Sequence, residues 1–162
     1  MRAPALLLAL LLALIVTGCG FQLRQQAQLP DALKELRIEV TDRFSPIGIE
    51  LGRALKRAGA TLHEAPEDKV SIVRVHADII STLPLSVSGT ARVQEYQITH
   101  RIEFEVLAAD GTVLIARNGI ERRRDYRFDE TQALGAAAED EMARKELRRD
   151  TVAALLRRIE AL

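Results

Sequence analysis

Five arginines, Arg117, Arg122, Arg123, Arg124 and Arg127, fall within eleven residues, set against only Glu121 and Asp125. A guanidinium fork grips phosphate or carboxylate through two parallel N–H groups, so arginines at this density suit a phosphorylated ligand. If the segment is extended, Arg122 and Arg124 share a face with Tyr126 and Phe128, which sets an apolar surface beside the cations. The same pattern fits an exposed edge strand whose charges discourage aggregation. Both readings are open on these residues alone.

Other chemistry is scarce. His63, His76 and His100 are far apart and lack metal-ligand spacing, so no metal and no cofactor are expected. G-x-S-x-G, H-E-x-x-H and the phosphate-binding G-x-x-x-x-G-K-[ST] are all missing. Glu103 and Glu105 alternate with apolar residues on a strand face, where a general acid has no cavity to tune it. The chain is therefore expected not to be an enzyme. His100 shares parity with Ile98 and Ile102, and a hydrogen-bonded or edge-lying histidine is the simplest account.

The single cysteine is the other reactive group. Met1-Arg2 precede an apolar run of 13 residues, 4–16, followed by Thr17-Gly18-Cys19. A short positive start, an apolar core and a small residue before the cut describe a secretory signal. The run falls short of the ~20 residues that span a bilayer. Val16-Thr17-Gly18-Cys19 resembles the bacterial lipobox, which makes Cys19 the expected lipidation residue, bearing a diacylglycerol on sulfur and an acyl chain on nitrogen. Two membrane signals already anchor a protein stably. Gly20 stands where Asp would resemble an inner-membrane retention signal, so the expected location is the outer membrane, facing the periplasm.

Removing residues 1–18 from 162 leaves 144, one domain's worth. The expected division is a signal peptide at 1–18, a lipid-anchored tether at 19–34 and a single domain at 35–162. Without Arg2 the mature chain carries 22 basic and 23 acidic residues. Such a neutral domain is no generic polyanion binder, and no nucleic-acid partner is expected.

The elements that must position these groups follow from periodicity. Leu36, Ile38 and Val40 alternate with Glu35, Arg37 and Glu39 as a half-buried strand. Ser45-Pro46 starts a helix with Ile47, Leu51, Ala54, Leu55 and Ala58 on one face, and Gly59 ends it. A second strand places Val73, Val75, Ala77 and Ile79 on one side and closes at Leu83-Pro84; residues 86–92 read as a loop or irregular hairpin. From Tyr96 a long strand buries Ile98, Ile102, Phe104 and Val106. Asp110-Gly111 turns the chain, and a return strand runs toward Phe128 with a bulge or bend expected at Asn118-Gly119. Asp129 and Gln132 suit the cap of a last helix, whose stripe is Val152, Leu155, Leu156, Ile159 and Leu162; charge interrupts it between Glu139 and Asp150. The predicted fold is α+β, with two helices packed on one face of a four-stranded, mostly antiparallel sheet.

These residues carry a resemblance. Cys19-Gly20-Phe21-Gln22-Leu23-Arg24, then Leu29-Pro30, then Glu95-Tyr96-Gln97 at the head of a long strand, resemble the LptE family of lipopolysaccharide-assembly lipoproteins. So does the segment 126–159, with Ala133-Leu134, Glu139 and Met142. The resemblance implies two helices on a four-stranded sheet, seated inside the lumen of the large barrel LptD, supporting its assembly and contacting lipopolysaccharide. Family members carry a basic residue in the loop before Glu95-Tyr96-Gln97, where Arg92 is the nearest here, and another near Ala136, which is neutral. The expected lipopolysaccharide contacts are Arg92, Arg122, Arg124 and Arg127. A stand-alone periplasmic ligand-binding lipoprotein is the alternative; it would need an apolar pocket, which an aromatic content of 4% does little to line. A lipid-anchored hydrolase is disfavoured by the missing motifs.

Overall fold

The structure, a computed structural model, describes residues 29–65, 69–87, 93–127 and 133–162. Five strands make one sheet in the order β2-β1-β3-β4-β5: β1 (Glu35–Glu39), β2 (Thr61–Leu62), β3 (Ser71–Val87), β4 (Val93–Leu107) and β5 (Val113–Arg127). The prediction of four strands missed β2, a two-residue strand too short to show a period. β1 is parallel to both β2 and β3, while β3, β4 and β5 form an antiparallel meander. Helices α1 (Pro46–Arg57) and α2 (Ala133–Glu160) pack together and supply the second layer.

The ends of α1 follow its sequence. Ser45 Oγ accepts from the Gly48 N–H at 3.2 Å, and Pro46 occupies the first turn. At the other end Gly59 adopts φ 94°, a left-handed conformation that glycine enters without a Cβ clash. Gly59 N then donates to Lys56 O, and Ala60 N to Leu55 O, which satisfies two orphan carbonyls of the last turn. Asp129 and Gln132, the expected cap of α2, lie outside the described residues.

The main core joins Leu36, Leu51, Leu55, Val73, Ile102, Phe104, Val106, Leu155 and Ile159, all fully buried. Leu29 and Leu33, in the stretch read as a tether, are buried in it too, the latter on a single 3-10 turn (Asp31–Leu33). A second cluster gathers Ile98, Ala143 and Leu147, with Ile80 and Tyr126 against it. The charge-broken part of α2 is therefore not free of the core: Ala143 and Leu147 hold it to the sheet, while Leu162, expected in the stripe, is exposed.

β3 departs most from its predicted pattern. It continues through Pro84 to Val87 rather than closing at Leu83-Pro84. Val75 pairs with Phe104 but Ala77 pairs with Glu103, so His76 is an extra residue and alternation reverses beyond it. Val73 and Val75 face the helices as expected; Ile79, expected on the same face, is 54% exposed. Asp78 and Ile80 now take the inner face, opposite Ile102 and His100. A second irregularity lies in β5, where Ala116 and Arg117 together oppose Glu105, just upstream of the predicted Asn118-Gly119 position.

His100 is fully buried between the two apolar clusters, and its Nε2 donates to Asp78 Oδ1 at 2.7 Å. Its Nδ1 has no partner among the described residues, so this one bond holds the ring. Replacing Asp78 by Ala leaves a buried N–H without an acceptor, and unfolding free energy should fall by about 1–3 kcal/mol. Urea denaturation measures this. An unchanged midpoint would return Asp78 to the solvent face, as the unbroken alternation places it.

Candidate functional site

The structure sorts the arginine cluster onto both faces of β5. Arg122 pairs in register with His100, Arg124 with Ile98 and Tyr126 with Tyr96, so these three share one face, as the alternation predicted, and that face is the helix side. The Tyr96 and Tyr126 rings stack with centroids 5.6 Å apart. Arg124 forms an ion pair with Glu146 of α2. Arg122 is exposed and donates to the backbone oxygen of Glu121 at 3.0 Å, and among the described residues it has no carboxylate partner. Arg127, the last residue of β5, pairs in register with Glu95. Arg92, Phe128 and Cys19 lie outside the described residues.

Around the stacked tyrosines α2 adds groups from the stretch where charge interrupts its apolar stripe. Arg144 bonds Asp140 at 2.6 Å and reaches across to Thr82 Oγ1 of β3 at 2.8 Å. Burial, together with Asp140 beside it, pushes the Tyr126 phenol above its ordinary value. The i,i+4 spacing of Asp140 and Arg144 was the available signal for this pair; its link to Thr82 needed the fold. The result is one end of the sandwich with a half-buried aromatic pair over Ile98 and Leu147, bordered by Arg122, Arg124 and Arg144. Such an end can meet a ligand carrying both anionic and apolar parts.

The outer face of the sheet is different. Charges are paired along and across the strands: Glu39 with Arg37 of its own strand (2.9 Å) and Arg74 (2.7 Å), Arg74 with Glu105 (2.6 Å), and Glu103 with Arg101 of its own strand (2.8 Å) and Arg117 (2.6 Å). Arg123 is tied to Glu121. Three cluster arginines, Arg117, Arg123 and Arg124, are thus engaged by carboxylates of their own chain, while Arg122 has no carboxylate partner among the described residues.

The histidines lie in three separate places, each with its own carboxylate: His63 with Glu35, His76 with Glu105 and His100 with Asp78. Among the described residues no three or more His, Cys, Asp or Glu side chains are placed to hold a metal ion. No described helix is long and apolar enough to cross a membrane.

Comparison with known proteins places this geometry. The family model LptE, described as lipopolysaccharide-assembly, matches residues 25–159. The LPS-assembly lipoprotein LptE of Photorhabdus laumondii is 29% identical over 160 residues, covering 98% of this chain and 87% of that protein. The protein of the same name from Yersinia enterocolitica is also 29% identical, with coverage of 98% and 77%. The solution structure of a lipoprotein B from Nitrosomonas europaea superimposes with a TM-score of 0.74 at 29% identity, over 88% of this chain and 91% of that one. A rare lipoprotein B of Shewanella oneidensis shares the fold, with a TM-score of 0.69 at 24% identity over 78% and 94% of the two chains.

The outer-face pairs predict an acid response. Glu39 is partly buried, which raises its pKa, but hydrogen bonds from Arg37 and Arg74 outweigh this and hold it below the ordinary 4.5. Hydrogen bonds from Arg117 and then Arg101 hold Glu103 below the same value. A depressed folded-state pKa adds stability that is complete above the unfolded value and is lost as the pH falls through the folded one. Urea midpoints should therefore drop as the pH is lowered below 4.5. The double variant Glu39→Gln, Glu103→Gln should show a shallower drop, and an identical slope would deny these pairs a role.

Proposed function

The chain belongs to the LptE family of lipopolysaccharide-assembly lipoproteins, and from that premise we propose that it is an outer-membrane subunit seated in the lumen of an LptD-like β-barrel. It supports the assembly of that barrel and contacts lipopolysaccharide on its way outward. The family is non-enzymatic, so its work is binding and scaffolding. The observation that carries the reading is the match over residues 25–159, which takes in every described strand and nearly all of α2. The outer sheet face supports it: a surface of charges paired among themselves can lie against a polar lumen without leaving unpaired charge behind.

Cys19 is the proposed anchor. Cleavage after Gly18 exposes it, and three acyl chains hold the mature protein in the membrane. Intact-mass measurement of membrane-extracted protein should give residues 19–162 plus three acyl chains. The unmodified mass, or another N-terminus, would remove the anchor. Solubilising the outer membrane in detergent and purifying the tagged lipoprotein should bring down a stoichiometric large β-barrel; a lone protein would favour a stand-alone ligand-binding lipoprotein.

Lipopolysaccharide presents phosphates beside acyl chains, and the tyrosine end of the sandwich offers arginines beside an aromatic pair. Arg122, without a carboxylate partner among the described residues, is the leading contact; Arg124 must exchange Glu146 for phosphate, and Arg92 and Arg127 are the remaining proposed contacts. A charged hydrogen bond contributes about 1.5–3 kcal/mol before screening, and exposure lowers that. Changing Arg122 and Arg124 together to Ala should weaken lipopolysaccharide binding by roughly tenfold, with thermal unfolding within a few degrees of the parent. Unaltered binding by a folded variant would make the cluster a solvated edge, and loss on Arg92→Ala alone would move the site to the loop before Glu95.

A further inference from the structure

The helix layer treats its charges differently from the outer face of the sheet. An open groove of about 510 Å3 lies between the two helices. α1 lines it with Glu50, Arg53, Ala54 and Arg57, and α2 with Arg149, Val152, Ala153 and Leu156. Both sets follow the spacing i, i+3, i+4, i+7, which is one face of a helix. Three guanidinium groups thus share the groove with one carboxylate. Arg57 lies 3.7 Å from Glu50, while among the described residues Arg53 and Arg149 have no carboxylate partner. Arg57 stands in the last turn of α1, where the negative end of the helix accounts for a cation. Arg149 lies well inside α2 (Ala133–Glu160), so no helix end accounts for it. The groove is also separate from the tyrosine end of the sandwich. Its middle lies roughly 15 Å further along α2 than the Asp140–Arg144 pair, at 1.5 Å per residue.

We propose that this groove receives aspartate or glutamate side chains from the wall of the enclosing barrel, so that the helix layer faces an acidic patch of the lumen. The inference rests on the barrel reading above and adds to it the side on which the chain meets its partner. The outer sheet face brings its arginines already matched by carboxylates of its own chain. The helix face brings Arg53 and Arg149 unmatched, and charges enclosed against another protein need opposite charge there. Complementary charge of this kind fixes the orientation of a docked protein more than its affinity. A guanidinium fork takes a carboxylate through two parallel N–H groups, so short acidic side chains reaching in from the wall suit the rim. A phosphate that carries acyl chains needs a broad apolar surface beside it. The floor here is only two alanines, a valine and a leucine, and Ala54 and Val152 are already buried.

The test uses the full chain in its detergent-extracted complex. A water-soluble carbodiimide joins an amine to an adjacent carboxylate as an amide, and Arg149→Lys or Arg53→Lys supplies the amine while keeping the charge. Peptide mapping should find residue 149 or 53 joined to an aspartate or glutamate of the barrel. Arg157→Lys, exposed on the same helix but outside the groove, should give little of this product. The double reversal Arg53→Glu, Arg149→Glu should lower the barrel recovered per lipoprotein by roughly tenfold. Both positions are exposed, so thermal unfolding should stay within a few degrees of the parent; if it does not, the lysine variants decide. A parent that brings down no barrel overturns the barrel reading and this inference with it. With the barrel present, three results overturn this inference alone: coupling at 149 and 53 no stronger than at 157, coupling to a lipid instead of a protein, or undiminished recovery by a folded double variant.

Discussion

A sheet covered on one face buries only alternate side chains, and one extra residue reverses which ones. His76 is that residue here. β4 fixes the inner face, because Ile98, His100, Ile102, Phe104 and Val106 are all fully buried. Once His100 is inside, its N–H needs an acceptor, and the insertion at His76 turns Asp78 inward to provide one. Without it Asp78 would face solvent, and a buried imidazole would lack its partner at a cost of about 1–3 kcal/mol. The same reversal brings Ile80 under α2 and expels Ile79 and Leu83. The second apolar cluster and the exposure of Ile79 and Leu83 both descend from one local choice.

The two faces of the sheet consequently do different jobs. The inner face carries the core, and at its far end it holds a polar and aromatic border of Tyr96, Tyr126, Asp140 and Arg144. The outer face spends its arginines on its own carboxylates, apart from the apolar row on β3. Exposed ion pairs of this kind add little stability one by one. Their effect is to remove net charge from a broad surface. Arg122, which has no carboxylate partner among the described residues, lies on the other side of the strand, next to the aromatic pair.

Most of the chain's organisation was legible without coordinates. The α1 boundaries came from Ser45, Pro46 and Gly59, whose effects are local: a hydroxyl accepting an N–H three residues on, a ring already at helical φ, and a residue with no Cβ to clash. The inner face of β4 came from strict alternation, and the Asp110-Gly111 turn from the need for φ above zero at Gly111 (φ 87°). The pairing of Arg122 and Arg124 with Tyr126 came from the same period of two. β2 was not legible, since two residues have no period. The contact of α2 with the second cluster was obscured by charges around Ala143 and Leu147, small islands in a polar run.

The sequence by itself determined the α+β class, the two helices and the caps of α1, the inward row of β4, the absence of catalytic motifs and, through its short motifs, the family. Each depends on side-chain chemistry acting over a few residues. Only the tertiary structure decided which arginines remain unpaired and which side chains of β3 turn inward. Arg117, Arg123 and Arg124 look alike in sequence, but their carboxylates come from β4, from β5 itself and from α2. The parity of β3 depends on a count of residues between strands, Val75 to Phe104 and Ala77 to Glu103, and that count exists only once the two strands are laid side by side.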